Sequence, residues 1–150
     1  EFAEAVISNL GQTPTQLKAV QYSAEKTLNL PKYQRKAPKK KDLVGVDLFV
    51  HWAGTDVEHF ASLVKKIELP GVKLSMITNR GIKVYPDGFP ETFCTDHWRC
   101  RFMAKNAEQA TKNGIIDLLS ASENAGVDVV KTENLYAFNG KAAYSLGQGQ

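Results

Sequence analysis

Cys94, His97 and Cys100 are spaced C-x2-H-x2-C, the residue types and spacing in this chain that most invite a metal. Zinc takes thiolate and imidazole ligands at four tetrahedral positions. The run offers three, and no fourth ligand is evident. If the stretch is extended, Cys94, Trp98, Cys100 and Phe102 share one face, and His97, Arg99 and Arg101 share the other. Cys94 and Cys100 would then stand about 20 Å apart along the strand, too far to share a metal with His97 or to bond to each other. Only a loop conformation would bring them together. The expectation is that both thiols are small apolar core groups beside Trp98, with no metal held here.

Other catalytic patterns are missing from the sequence. No serine sits in a G-x-S-x-G context. No G-x-G-x-x-G or G-x-x-x-x-G-K-[ST] loop offers a dinucleotide or phosphate cradle. His59 lies beside the apolar stripe of a helix and reads as a boundary histidine. What remains is a polar strand face, His97, Arg99 and Arg101. It lies near Asp47 and His51 if the two strands are neighbours. Cross-strand charge pairs, each contributing a few tenths of a kcal/mol, and a contact surface are both open readings.

The elements that must position these residues follow from periodicity. Leu43–Ala53 alternates: Val44, Val46, Leu48, Val50 and Trp52 on one face, Gly45, Asp47, Phe49 and His51 on the other. Thr55 and Glu58 have capping-box spacing. The helix after them presents Val57, Phe60, Ala61, Val64 and Ile67 as one stripe and should stop near Leu69-Pro70-Gly71. Val72–Thr78 alternates as a strand, and Asn79-Arg80-Gly81 is a tight turn into Ile82–Tyr85. Pro86–Pro90 opens a loop, and a further strand covers about Asp96–Ala104. Asn106 is a candidate cap for a helix with Ile115, Leu118, Leu119 and Ser122 on one side. Gly114 inside it suggests a kink or close packing. Ala125-Gly126 ends that helix, and a last strand runs from Val127 through Phe138. The predicted fold is α+β: a ferredoxin-like split βαβ sheet with two helices on one face and an extra strand, preceded by an N-terminal helical segment. In that segment Phe2, Val6, Ile7 and Leu10 recur at helical spacing before Gly11.

Charge narrows the partners. The net charge is +3, but Lys32–Lys41 holds six basic residues and no acidic one. Outside that run, 13 basic residues face 16 acidic ones. The basicity therefore belongs to a short solvated linker with Pro31 and Pro38 as stiffeners, and a globular nucleic-acid binder would spread it over a folded face. Phe49 on an open sheet face would suit single-stranded RNA, but the aromatic-rich RNP1 pattern is absent. No apolar run is long enough to span a bilayer. Two cysteines suggest no disulfide scaffold, which fits a reducing compartment, cytosol or mitochondrial matrix. Residue 1 is not Met, and Phe2–Leu10 is broken by Glu4, Ser8 and Asn9 with no basic leader. A piece of a longer polypeptide is expected, without a signal peptide.

Three runs carry a resemblance: NRGIKVY (Asn79–Tyr85), ETFCTDHWRCRF (Glu91–Phe102) and VKTENLYAFNG (Val130–Gly140). They resemble the appended C-terminal domain of long-subunit, homodimeric bacterial-type isocitrate dehydrogenases. EFAEAVISNLGQTP (Glu1–Pro14) resembles the last helix of the dehydrogenase domain in the same enzymes. The resemblance implies four segments: 1–23 closing the dehydrogenase domain, 24–42 a basic linker, 43–140 the appended domain, and 141–150 a flexible tail. It implies a parent enzyme that converts isocitrate to 2-oxoglutarate with NADP (or NAD) and Mg or Mn. None of the parent's catalytic, cofactor or metal residues matches a position here, so this segment is expected to bind no cofactor and to play a structural part. Its partners would be the dehydrogenase body and the second subunit, met through Asp47, His51, Arg80, His97, Arg99 and Arg101. The alternative is a stand-alone, non-catalytic interaction module in a larger assembly.

Overall fold

The computed structural model describes residues 1–21, 30–105 and 110–147. The chain divides into two units, Glu1–Lys36 and Ala37–Gln150. In the first, helix α1 spans Phe2–Ser8. It ends in a turn whose Gly11 has φ 81°, the left-handed region that glycine enters without steric cost. The apolar residues that made it readable as a helix are exposed: Phe2 at 85%, Ile7 at 66% and Leu10 at 71%. Positions 24–29 of the expected connection at 24–42 lie outside the described residues, and its last two positions already belong to a strand.

The second unit runs β1 (Lys41–His51), α2 (Val57–Lys65), β2 (Val72–Asn79), β3 (Ile82–Tyr85), β4 (His97–Ala104), α3 (Lys112–Asn124), β5 (Asp128–Phe138) and β6 (Lys141–Ala142). The strands form one sheet in the order β3-β2-β4-β1-β5-β6, with every neighbouring pair antiparallel. The class is α+β. Sheet register turns the alternation of β1 into two surfaces: Val46, Leu48 and Val50 lie opposite Phe102, Cys100 and Trp98. All six are buried, in one cluster with Phe60, Ala61 and Val64 of α2 and Leu118 of α3. Trp98 anchors it. Its indole stacks obliquely on Phe60, meets Trp52 edge-on at 5.6 Å, and donates Nε1–H to the Trp52 carbonyl at 2.9 Å. A buried indole N–H needs such a partner.

Close approach makes Gly45 specific. A Cβ there would stand 2.3 Å from the Phe102 carbonyl oxygen and 2.9 Å from Met103 Sδ. The β2–β3 turn has only Arg80 and Gly81 between paired Asn79 and Ile82, at φ 52° and 82°. That matches the doubly left-handed turn favoured in two-residue hairpins.

Two cap expectations are corrected. Asp56, not Thr55, caps α2, its carboxylate accepting from His59 N–H at 3.0 Å. A carboxylate there also suits the positive end of the helix. Asn106 lies outside the described residues. Helix α3 is capped by Thr111, which accepts from Gly114 N–H at 3.0 Å. Gly114 is thus in the first turn rather than the interior, where the capping hydroxyl would be 3.3 Å from an added Cβ.

Candidate functional site on the open face of the sheet

The face of β1 turned away from the helices carries Asp47, Phe49 and His51, which lie opposite Arg101, Arg99 and His97 of β4. The register brings together five of the six residues expected to form a contact surface, and the hairpin turn adds the sixth. Arg80 and Arg99 line one shallow cavity of about 160 Å³ with Phe49, Thr78, Gly81 and His97. His97 stacks on Phe49 with ring centroids 5.8 Å apart, and Lys131 of β5 places Nζ 4.3 Å from the Phe49 centroid on its own side. Arg99 Nε donates to Thr78 Oγ1 at 3.0 Å. Phe49 is thus half-buried among cationic groups, a geometry favoured by the negative potential of the ring face.

The face is divided. Toward one end Asp47 and Arg101 are each only 1% exposed. They form a two-point pair, Arg101 Nε to Asp47 Oδ1 and Nη2 to Oδ2, both at 2.8 Å. Arg101 Nη1 also donates to the Ser145 carbonyl at 2.9 Å, and the Tyr144 ring lies 5.0 Å from the guanidinium carbon. The hydrogen bonds that Arg101 donates to the Asp47 carboxylate raise its already high pKa, so its guanidinium stays charged. A shift in β2 between Leu74 and Met76 sets Met76 opposite Arg101, and buried Leu135 of β5 lies opposite Gly45. The segment expected as a flexible tail at 141–150 starts with β6 and supplies Tyr144 and Ser145 to this covered end.

At the other end, His51 stands between two carboxylates, Nε2 3.5 Å from Asp96 and Nδ1 3.6 Å from Asp128. All three are more than half exposed. Beyond them, Asn79 is fully buried at the end of β2. Its amide donates to the Thr95 and His97 carbonyls at 2.9 and 3.2 Å and accepts from Thr95 N–H at 2.9 Å. It pins the loop before β4 to the hairpin. As a turn residue in the sequence, Asn79 gave no sign of this, and Lys131 was hidden by the irregular phase of β5.

The thiols of the C-x2-H-x2-C run separate. Cys94 precedes β4, in the loop, and packs against the core cluster. Cys100 is buried on the core face, while His97 is exposed on the opposite one. Burial, reinforced by the charge of Asp47, pushes the Cys100 thiol far up, and burial raises Cys94 as well. Both thiols are therefore poor nucleophiles at neutral pH.

Comparison with known proteins decides the family. The model of the family described as bacterial isocitrate dehydrogenase, C-terminal domain, matches residues 41–150. The chain belongs to this family. It is 38% identical over 152 residues to the NADP isocitrate dehydrogenase of Rickettsia felis, across 100% of this chain and 32% of the relative. It is 31% identical over 160 residues to that of Thermus thermophilus, across 100% of this chain and 30% of the relative. A crystal structure of a protein from Thermus thermophilus superposes with a TM-score of 0.71 at 31% identity, covering 99% of this chain and 30% of that one. The chain spans about a third of the length of the relatives it matches.

Whether this isocitrate dehydrogenase C-terminal domain suits a metal or a nicotinamide cofactor is a question of donor sets. Among the described residues no three His, Cys, Asp or Glu side chains converge to hold a metal ion. His51, Asp96 and Asp128 come nearest, but the carboxylates flank opposite nitrogens of the imidazole, so the three do not aim at one point. The arginines of the open face stand in a shallow hollow at the end of a hairpin, with no glycine-rich turn leading into a helix to receive a pyrophosphate. Neither arrangement among the described residues offers a convergent donor set. No helix among the described residues is long and apolar enough to cross a membrane.

Proposed function

We propose that this chain is the C-terminal portion of an NADP-dependent isocitrate dehydrogenase, whose body oxidatively decarboxylates isocitrate to 2-oxoglutarate. The observation that carries the reading is the family match over residues 41–150, joined to relatives that align with the whole chain over about a third of their own length. The chemistry, with its NADP and Mg or Mn, belongs to the other two-thirds. The bacterial family supports a bacterial cytoplasm as the parent's compartment.

Within the parent, the domain is structural. Exposed Phe2, Val6, Ile7 and Leu10 support residues 1–23 as the close of the dehydrogenase domain, whose core would cover them. The strand order β2-β4-β1-β5 around helices α2 and α3 supports a ferredoxin-like split βαβ unit, with β3 and β6 added outside it. Its open face supports docking on the body or on a partner subunit through His51, Arg80, His97 and Arg99, with Asp47 and Arg101 holding the strands beneath.

An antibody raised against this segment tests the reading on the native polypeptide. The expected band is several times larger than 16.6 kDa and co-purifies with isocitrate-dependent NADP reduction. The isolated chain should show none of that activity. A native band at 16.6 kDa, or cofactor reduction by the isolated chain, would overturn it.

A further inference from the structure

We propose that the outer edge of β5 pairs with the same edge of a second copy of this chain, in an antiparallel ladder centred on Thr132. The inference rests on the reading that the domain shapes an oligomer, and it names the surface and the register. β5 has eleven residues. On the side away from β1, only Ala137 and Phe138 have strand partners, in β6, and the Tyr136 carbonyl accepts from Ala143. Asp128–Leu135 thus has no neighbouring strand on that side among the described residues, and Val130–Asn134 are exposed. The stretch holds no proline. An open edge of this length is a template for an added strand unless something blunts it.

Symmetry and charge select one register. When two identical strands pair about a dyad normal to the sheet, opposed side chains share a face, so some residue must oppose itself. Centring on Lys131 sets lysine against lysine. Centring on Glu133 sets glutamate against glutamate. Centring on Thr132 sets threonine against threonine and Lys131 against Glu133 twice over. Opposite charges and threonine pairs favour cross-strand contact, and like charges oppose it. Lys131 and Glu133 both belong to the open face, paired in β1 with Phe49 and Asp47. The ladder is centred on Lys131–Glu133 in each copy, on the C-terminal side of the irregularity at Val130, and leaves β6, whose pairing begins at Ala137, in place. Lys131, which with the irregularity at Val130 would guard the edge, becomes the group that sets its register.

Sedimentation equilibrium of the whole 150-residue chain tests this. The wild type should dimerise, and K131E and E133K should each dimerise at least about tenfold more weakly, because each makes both central pairs like-charged. An equimolar mixture of the two variants should recover wild-type affinity as a heterodimer. Independently, T132C should form a disulfide-linked dimer on oxidation, since self-opposed residues in an antiparallel ladder lie about 4.5–5.5 Å apart, within disulfide reach. K73C, on β2, should not. A wild type monomeric up to millimolar concentration, charge variants that dimerise like wild type, or a mixture no tighter than its components would overturn the proposal. A dimer indifferent to all three substitutions would sink the β5 edge while sparing the oligomer reading. A native band of 16.6 kDa would sink the parent enzyme while the T132C cross-link still decided the edge.

Discussion

Removing Asp47 should cost more than removing any exposed charge of the open face. Arg101 is 1% exposed, and Asp47 meets two of its N–H groups at 2.8 Å. In D47A the guanidinium keeps the Ser145 carbonyl and the Tyr144 ring but loses its counter-charge in a site sealed from water. Breaking a buried pair from one side costs about 3–5 kcal/mol. R101M leaves the carboxylate behind with Arg99 Nε at 3.8 Å as a remaining ionic neighbour, so it should cost less than D47A. Replacing both residues, D47L with R101M, should come within about 2 kcal/mol of wild type, since a buried pair offers little net stability over apolar groups of similar volume. The Ser145 backbone released by that change is at the surface and can bond to water. Urea denaturation, followed through the tryptophans, reads all of this out. A D47A loss below about 1 kcal/mol, or a double variant as unstable as D47A, would refute the argument.

Three further outcomes are expected. Trp98→Ala should cost about 3–5 kcal/mol, from the lost volume of a fully buried indole, while exposed His97→Ala stays within about 0.5 kcal/mol; equal shifts in thermal melting would mean the two faces of β4 are misassigned. Asn79→Ala should cost about 2–4 kcal/mol, because it strips partners from Thr95 N–H and two carbonyls, and amide hydrogen exchange should localise the loss to residues 92–97. Cys100 keeps its proton in the folded state where the unfolded thiol ionises, so stability should fall as pH rises above about 8.5; urea midpoints of Cys100→Ala should show a shallower alkaline slope, and an unchanged slope would count against the burial of that thiol.

Much of the fold was legible because period-2 alternation is hard to satisfy by accident. Leu43–Ala53 and Asp96–Ala104 gave the correct faces for Leu48, Cys100 and Trp98, and Asn79-Arg80-Gly81 gave the hairpin. Alternation reports which side chains share a face, not what covers that face. Arg101 looked like a surface cation because Tyr144 and Ser145, which enclose it, lie far along the chain in a Gly- and Gln-rich stretch. Register shifts hid more: the irregularity before Met76 puts that residue beside Arg101, and another between Phe49 and Val50 breaks the phase of β5 around Val130. The caps failed on competition between adjacent oxygens. Thr55 and Asp56 can both accept from the first turn of α2, and the backbone path into the helix chose the carboxylate. The placement of the open-face residues was partly readable, since Asp47, His51, His97, Arg99 and Arg101 follow from strand parity, while the approach of Arg80 depends on the bend of a hairpin.

The central position of β1 has a consequence for how the domain comes into being. It is the first strand of its unit made, yet it is flanked by β4 and β5, the fourth and fifth. Asp47 waits 54 residues for Arg101, and Leu48 waits 84 for Thr132. No local pairing can hold β1 in the interval, so the ribosome must release nearly the whole unit before its most apolar strand has two neighbours. Folding of this kind is slow, because long loops must close before any contact rewards them. A chain interrupted before β5 would leave Val46, Leu48 and Val50 in a strand with one unprotected flank, the sort of species that chaperones retain and proteases remove.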